Sequence, residues 1–165
     1  MQQHILSVLV SNKAGVLTKV TALFSRRGFN IDSLAVGTTE NKDISRITII
    51  ANGDDYTLEQ LIKQLNKLID VIKVKNLTST ETVCRELALI KISGIGSDER
   101  KEILQFSEIY RSKIVDVAPD TVTVEITGTT DKIASFLALV EKMGKIEMVR
   151  TGTISIERGR KTIEV

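Results

Sequence analysis

The residues of this sequence best suited to chemistry are Asn12, Lys13, Ala14 and Gly15, which follow the apolar run Ile5–Val10 and precede apolar residues at helical spacing. An α-helix leaves its first N–H groups without internal acceptors and carries about half a positive charge at that end. A glycine there has no Cβ to obstruct a ligand. The N–H groups around Ala14, Gly15 and Val16 can therefore receive a carboxylate. The same residues admit a second reading, in which Gly15 relieves a tight strand-to-helix turn and Asn12 caps the helix through its side chain. An N-x-x-G turn alone does not choose between them. It does lack the Lys-Ser or Lys-Thr pair after a second glycine that marks a nucleotide-phosphate loop.

Other chemistries find little material. The chain has one histidine, His4, and one cysteine, Cys84, so neither a disulfide framework nor a Cys/His metal cluster can form within it. Both residues read as structural, and a reducing, cytoplasmic setting is expected. Ser11, Asn12 and Lys13 make no acid–base–nucleophile set, and no pair of carboxylates accompanies the glycine loop, which argues against an enzyme. With 42% hydrophobic and 27% charged residues and a formal net charge of +2, the composition is that of a soluble globular protein. The basic stretches Arg26-Arg27 and Arg158 to Lys161 read as solvated faces. No apolar run approaches the roughly 18–20 residues of a membrane span, and the MQQHILSVLV start lacks the pattern of a secretory signal.

The elements that must position the turn follow from periodicity. HILSVLV, residues 4–10, reads as a buried strand, and Val16, Leu17, Val20, Leu23 and Phe24 as the stripe of a helix ended by Gly28. NIDSLAVGTT and ISRITIIA pair as a hairpin across ENKD. A stripe of Leu58, Leu61, Ile62, Leu65, Leu68 and Ile69 and the strand VIKVK complete the order β-α-β-β-α-β. A polar stretch follows, and then the order repeats. ELALIKI is a strand, and Ile103, Phe106, Ile109 and Tyr110 mark a helix. KIVDVA and TVTVEITG form a hairpin around Pro119-Asp120, and Ile133, Phe136, Leu137 and Val140 mark another helix. KIEMVRT and TISIE are short strands. The expected fold is α+β, with two ferredoxin-like βαββαβ domains at 1–76 and 85–165 joined by a linker at 77–84. Val122, Val124 and Ile126 alternate with polar residues, which predicts one wet sheet face.

This order also belongs to RNA-recognition motifs, which stack bases on aromatics of the first and third strands. HILSVLV and ISRITIIA contain no Phe, Tyr or Trp, so no nucleic-acid partner is expected.

The run ILSVLVSNKAGVLTKVTALFSRRGFNIDSLAVGTT, continued by SRITI, closely resembles the start of the small regulatory subunit of acetohydroxyacid (acetolactate) synthase, whose first domain is an ACT domain. The likeness extends through LEQLIKQLNKLIDVIKV and, more loosely, through RELALIKI and RSKIVDVAPDTVTVEITGT. The resemblance implies a chain with no active site or cofactor of its own. It implies a catalytic large subunit as partner, on which thiamine diphosphate, Mg and FAD are expected, and which this chain activates and makes sensitive to valine. It implies a homodimer formed through ACT domains, with valine at their interface. Carried over by position, one protomer supplies Asn12, Ala14, Gly15, Val16 and Leu17, with Thr18 beside them, and the other supplies Asn30 and Ile31. In those roles the Gly15 and Val16 N–H groups take the carboxylate and the Asn12 and Asn30 amides make oriented polar contacts. Val16, Leu17 and Ile31 wall the side chain. Taken without the resemblance, Val16 and Leu17 are equally readable as helix core and Asn30 as a turn residue. An apolar wall separates aliphatic side chains by only about 1–3 kcal/mol per methylene, so valine rests on the resemblance. A free-standing ACT sensor is the alternative, and the second half of the chain argues against it.

Overall fold

The first half of the chain forms β1 (Gln2–Ser11), α1 (Val16–Arg26), β2 (Asn30–Thr38), β3 (Ile44–Gly53), α2 (Asp55–Leu65) and β4 (Val71–Asn76) in a computed structural model that describes residues 2–78 and 81–163. Its four strands lie antiparallel in the order β2-β3-β1-β4, the ferredoxin-like arrangement. One face of the sheet presents Leu6, Val8, Val10, Ile47, Ile49 and Ala51 to Val16, Val20 and Phe24 of α1 and to Leu58, Leu61 and Leu65 of α2. Ile69, placed in the α2 stripe by spacing, lies beyond the end of that helix and is fully exposed.

Gly28 closes α1 by a complete Schellman motif. Its φ of 71° lies in the left-handed region. Its N–H donates to Ser25 O at 3.2 Å, the Phe29 N–H donates to Phe24 O at 3.0 Å, and the two phenylalanine rings meet edge to face. A Cβ at Gly28 would meet nothing within 4 Å, so only backbone strain opposes a side chain. Gly28→Ala should therefore lower stability by about 1–2 kcal/mol, read as a reduced denaturant midpoint. An unchanged midpoint would mean that the motif does not need its left-handed residue.

The opposite face of this sheet is also covered. Ser7, Leu9, Thr48 and Ile50 point away from the helices yet are buried. The chain's C-terminal segment belongs to this unit and reaches this face, with Ile163 beside Leu9. Thr153 donates its N–H to Ser33 Oγ at 2.9 Å, Glu157 pairs with Lys75, and the Arg158 N–H donates to Glu81 O at 2.7 Å. The chain accordingly divides into one compact unit of Met1–Val83 with Thr153–Val165 and another of Cys84–Gly152. The expected 85–165 domain thus differs at its end, because residues from Thr153 onward group with the first unit. The expected linker at 77–84 includes Ser79 and Thr80, which lie outside the described residues, and its last part already belongs to a strand.

That strand is β5 (Thr82–Ser93), followed by α3 (Ser97–Ile109), β6 (Lys113–Ala118), β7 (Thr121–Gly128), α4 (Thr130–Val140) and β8 (Lys145–Arg150). The sheet order β6-β7-β5-β8 repeats that of the first unit, and β9 (Ile154–Glu157) pairs with β5. Ala88, Ile90, Ile92, Val122, Val124 and Ile126 face Ile103 of α3 and Ile133, Phe136 and Val140 of α4. The residues between them on β7, Thr121, Thr123 and Glu125, are half-buried, and Thr127 is exposed. Ile109, expected in the α3 stripe, is 72% exposed. Six residues after Ile103 it has rotated well off the buried face, to which Tyr110, one residue later, returns.

Glu86 is 4% exposed at its side chain and is held by both arms of Arg150, Nε at 2.6 Å and an Nη at 2.9 Å, while the Thr130 hydroxyl donates to it at 3.3 Å. This pair ties β8 and the first turn of α4 to β5.

Candidate functional site

The turn after β1 is braced on both sides. The Ser11 N–H donates to Asp70 O at 2.8 Å and the Asn12 N–H to Asp43 O at 2.7 Å. The Asn12 side-chain amide donates to Lys42 O at 2.9 Å, so this residue is committed to the β2–β3 hairpin and does not cap α1. The N-cap is Gly15 itself, with φ 83° and ψ −9°, a conformation that disfavours any residue with a Cβ. A Cβ there would meet nothing within 4 Å, so the space beside Gly15 is open. Glycine thus serves both the turn and access to it.

The Val16 N–H makes a long bond of 3.4 Å to Lys13 O, and the Val16 side chain is 3% exposed in the core. The donors left without an acceptor among the described residues are the N–H groups of Ala14, Gly15, Leu17 and Thr18. Leu17 is 39% exposed and Thr18 is exposed. Lys19 Nζ lies 2.7 Å from Asp70 Oδ2, fastening the first turn of α1 to the start of β4. The Lys19 ammonium holds the Asp70 carboxyl below its ordinary value of 3.8, with the Lys13 charge adding to the effect. A carboxyl depressed by folding contributes stability that is present above its unfolded value and is lost as pH falls through the folded one. Asp70→Asn should therefore be less stable than wild type at pH 7, with the difference shrinking as the pH falls from 3.8 through the lower value of the folded state. Parallel stability–pH curves for the two proteins would show that the pair contributes nothing.

At the start of β2, Asn30 is exposed, and its amide donates to Asp32 Oδ1 at 2.7 Å. The Asn52 amide donates to the other oxygen of the same carboxylate. Register shifts between Ile31 and Ser33, and this bulge gives Asp32 its place between the two amides. Ile31 is half-buried against the helix-side core. Asp32 escaped the sequence reading, although the Asn-x-Asp spacing is the signal that would have found it.

The two residue sets lie at opposite ends of the sheet. Ser11 pairs with Ile44 and Asn30 with Asn52, eight residues apart along β3, a separation of roughly 27 Å. One chain therefore does not bring Asn12, Ala14, Gly15, Val16, Leu17 and Thr18 to Asn30 and Ile31.

Among the described residues no group of three or more His, Cys, Asp or Glu could hold a metal ion, and no helix is long and apolar enough to cross a membrane. His4 is 1% exposed, with Nε2 at 3.3 Å from Gly53 O and 3.8 Å from an Asp55 carboxylate oxygen. Cys84 is half-buried.

Residues 6–73 match the family model of the AHAS small subunit-like ACT domain, and residues 85–159 match that of the small subunit of acetolactate synthase. A protein of Methanothermobacter thermautotrophicus, named probable acetolactate synthase small subunit, is 52% identical over 160 residues, covering 97% of this chain and 95% of that one. The chain belongs to the acetolactate synthase small-subunit family. The acetolactate synthase small subunit of Aquifex aeolicus is 47% identical over 158 residues, 96% of this chain and 82% of its own length. The crystal structure of the small subunit from Thermotoga maritima superposes with a TM-score of 0.88 at 41% identity, covering 98% of this chain and all of that one. In this small-subunit family member the ACT match contains both the Gly15 turn and the start of β2. The second match runs to Gly159 and so takes in β9 and residues that pack with the ACT sheet.

Proposed function

We propose that this chain is the regulatory subunit of acetolactate synthase, which binds the catalytic large subunit, raises its activity and makes it sensitive to valine held between two ACT domains. The supporting observation is the separation of the two residue sets to opposite ends of one sheet, since a ligand touching both needs two chains. Among the described residues strand β2 has β3 as its one strand neighbour, which leaves its other edge for pairing. Antiparallel association of two β2 edges brings Asn30 of one protomer to the Thr38 end of its partner, the end that carries the Gly15 turn.

In such a pair the free N–H groups of Ala14, Gly15, Leu17 and Thr18 receive the valine carboxylate at the positive end of α1. Leu17 of one protomer and Ile31 of the other wall its side chain. The amide oxygen of Asn30 and the outward lone pairs of Asp32 accept from its ammonium group. Asn12 acts by holding the turn against the β2–β3 hairpin. Thiamine diphosphate, Mg and FAD belong to the large subunit in this reading, and the chain itself performs no chemistry. Valine changes activity only by binding two states of the holoenzyme unequally. Such coupling is typically about 1–3 kcal/mol and is reciprocal.

The test is acetolactate formation from pyruvate by the cognate large subunit, measured alone, with this protein, and with this protein plus valine. The reading expects stimulation that valine suppresses. Stimulation indifferent to valine would discard the effector and keep the partner. Neither stimulation nor physical association would turn the assignment to a free-standing amino-acid sensor.

A further inference from the structure

We propose that the ACT unit carries a second small-molecule site, a cavity behind the β2–β3 hairpin that takes a small aliphatic carboxylate. The cavity measures about 240 Å³ and is lined by Leu9, Thr39, Glu40, Ile44, Arg46 and Ile163, among others. It lies on the sheet face away from the helices, because Leu9 pairs with Arg46 and both alternate with the helix-facing Val8, Val10 and Ile47. It is therefore a different place from the Gly15 turn. The two share the hairpin tip, whose Lys42 and Asp43 carbonyls hold Asn12.

Arg46 is the reason to expect an anion. Its Nε donates to the buried Ser7 hydroxyl at 2.8 Å, which fixes the guanidinium plane. Neither Nη has an acceptor among the described residues. Burial holds this guanidinium below its ordinary value, an effect that the charges of Glu157 and Glu40 oppose. Glu157 is already committed to Lys75. A partly desolvated cation whose two remaining donors are free gains most from a ligand that fills both at once, and a carboxylate does so in the fork geometry of arginine.

The other walls narrow the class. Leu9, Ile44 and Ile163 are aliphatic and suit a short or branched hydrocarbon body. The volume falls below the roughly 300–1,000 Å³ of sites for drug-sized ligands, so the occupant has the size of an amino acid or a short-chain acid. Glu40 disfavours a second negative charge, which sets aside dicarboxylates and phosphates, and it can receive an ammonium group.

The experiment uses the purified full chain and saturation-transfer NMR with two probes, 3-methylbutanoate and L-leucine. Both should give binding signals in Gly15→Asp, which closes the other site to a carboxylate, and these signals should weaken at least tenfold when Arg46→Met is added to it. Ile163→Trp fills the cavity without touching the sheet and should weaken binding similarly, so the inference survives if Arg46→Met fails to fold. A stronger signal from L-leucine would support Glu40 as the ammonium partner. No binding to the Gly15→Asp protein, or binding undiminished in both cavity variants, would overturn the proposal.

Discussion

Gly15→Asp should abolish inhibition by valine while activation of the large subunit persists. Three effects act together at this position. The backbone at φ 83° disfavours a Cβ. The new carboxylate projects into space that is empty in the wild-type protein. Its charge also occupies the positive end of α1, where the ligand's own carboxylate is proposed to sit. Each charge-assisted hydrogen bond lost is worth about 1.5–3 kcal/mol. With about 1.4 kcal/mol per tenfold, loss of two places the valine concentration for half-inhibition at least about a hundredfold higher. Activation should persist because the substituted residue lies on an exposed turn and leaves the core intact. The measurement is a valine titration of the reconstituted enzyme. Inhibition at wild-type concentrations would remove the Gly15 turn from the effector site.

The largest loss of stability is expected from Arg150→Ala. It leaves the Glu86 carboxylate, 4% exposed, with the Thr130 hydroxyl as its remaining hydrogen-bond donor among the bonds described above. Removing one partner of a buried pair typically costs about 3–5 kcal/mol, and the partial exposure of Arg150 places this case near the lower figure. The cost arises from the stranded charge more than from the lost attraction. The double variant Glu86→Gln, Arg150→Met should consequently recover most of the stability, since it buries no unpaired charge. Denaturant unfolding of the three proteins decides the matter. A single variant within about 0.5 kcal/mol of wild type, the range of an ordinary surface change, would show that water reaches Glu86.

What could be read from the residues alone was local. Val122, Val124 and Ile126 announce their buried face by alternation, and Gly28 announces the end of α1, because both signals depend on neighbours in the chain. The two-unit βαββαβ order follows from the same kind of pattern. Asn12 was harder, since a cap and a brace use the same amide, and the choice depends on the position of Lys42 thirty residues away. On the second sheet face Leu9 lies beside Ile163, more than 150 residues along the chain, and no periodicity reports such a partner. Asp32 and Arg46 were missed for related reasons. One depends on a bulge that changes strand register, the other on a cavity closed by Ile163. For Val16, helical spacing and proximity to the turn pointed in different directions, and packing placed the side chain in the core.

The return of the C-terminal segment to the first sheet makes the ACT unit discontinuous in sequence, and this bears on how the protein is made. Residues through Val83 leave the ribosome well before Thr153. At about 5–20 residues per second the interval is roughly 4–14 s. During that time Leu9 lacks Ile163 beside it, and part of the second face of the nascent sheet stays open. Folding of the first unit is completed only after the whole intervening unit has been synthesised, so a ribosome that stalls between the two releases a chain with an unfinished ACT sheet.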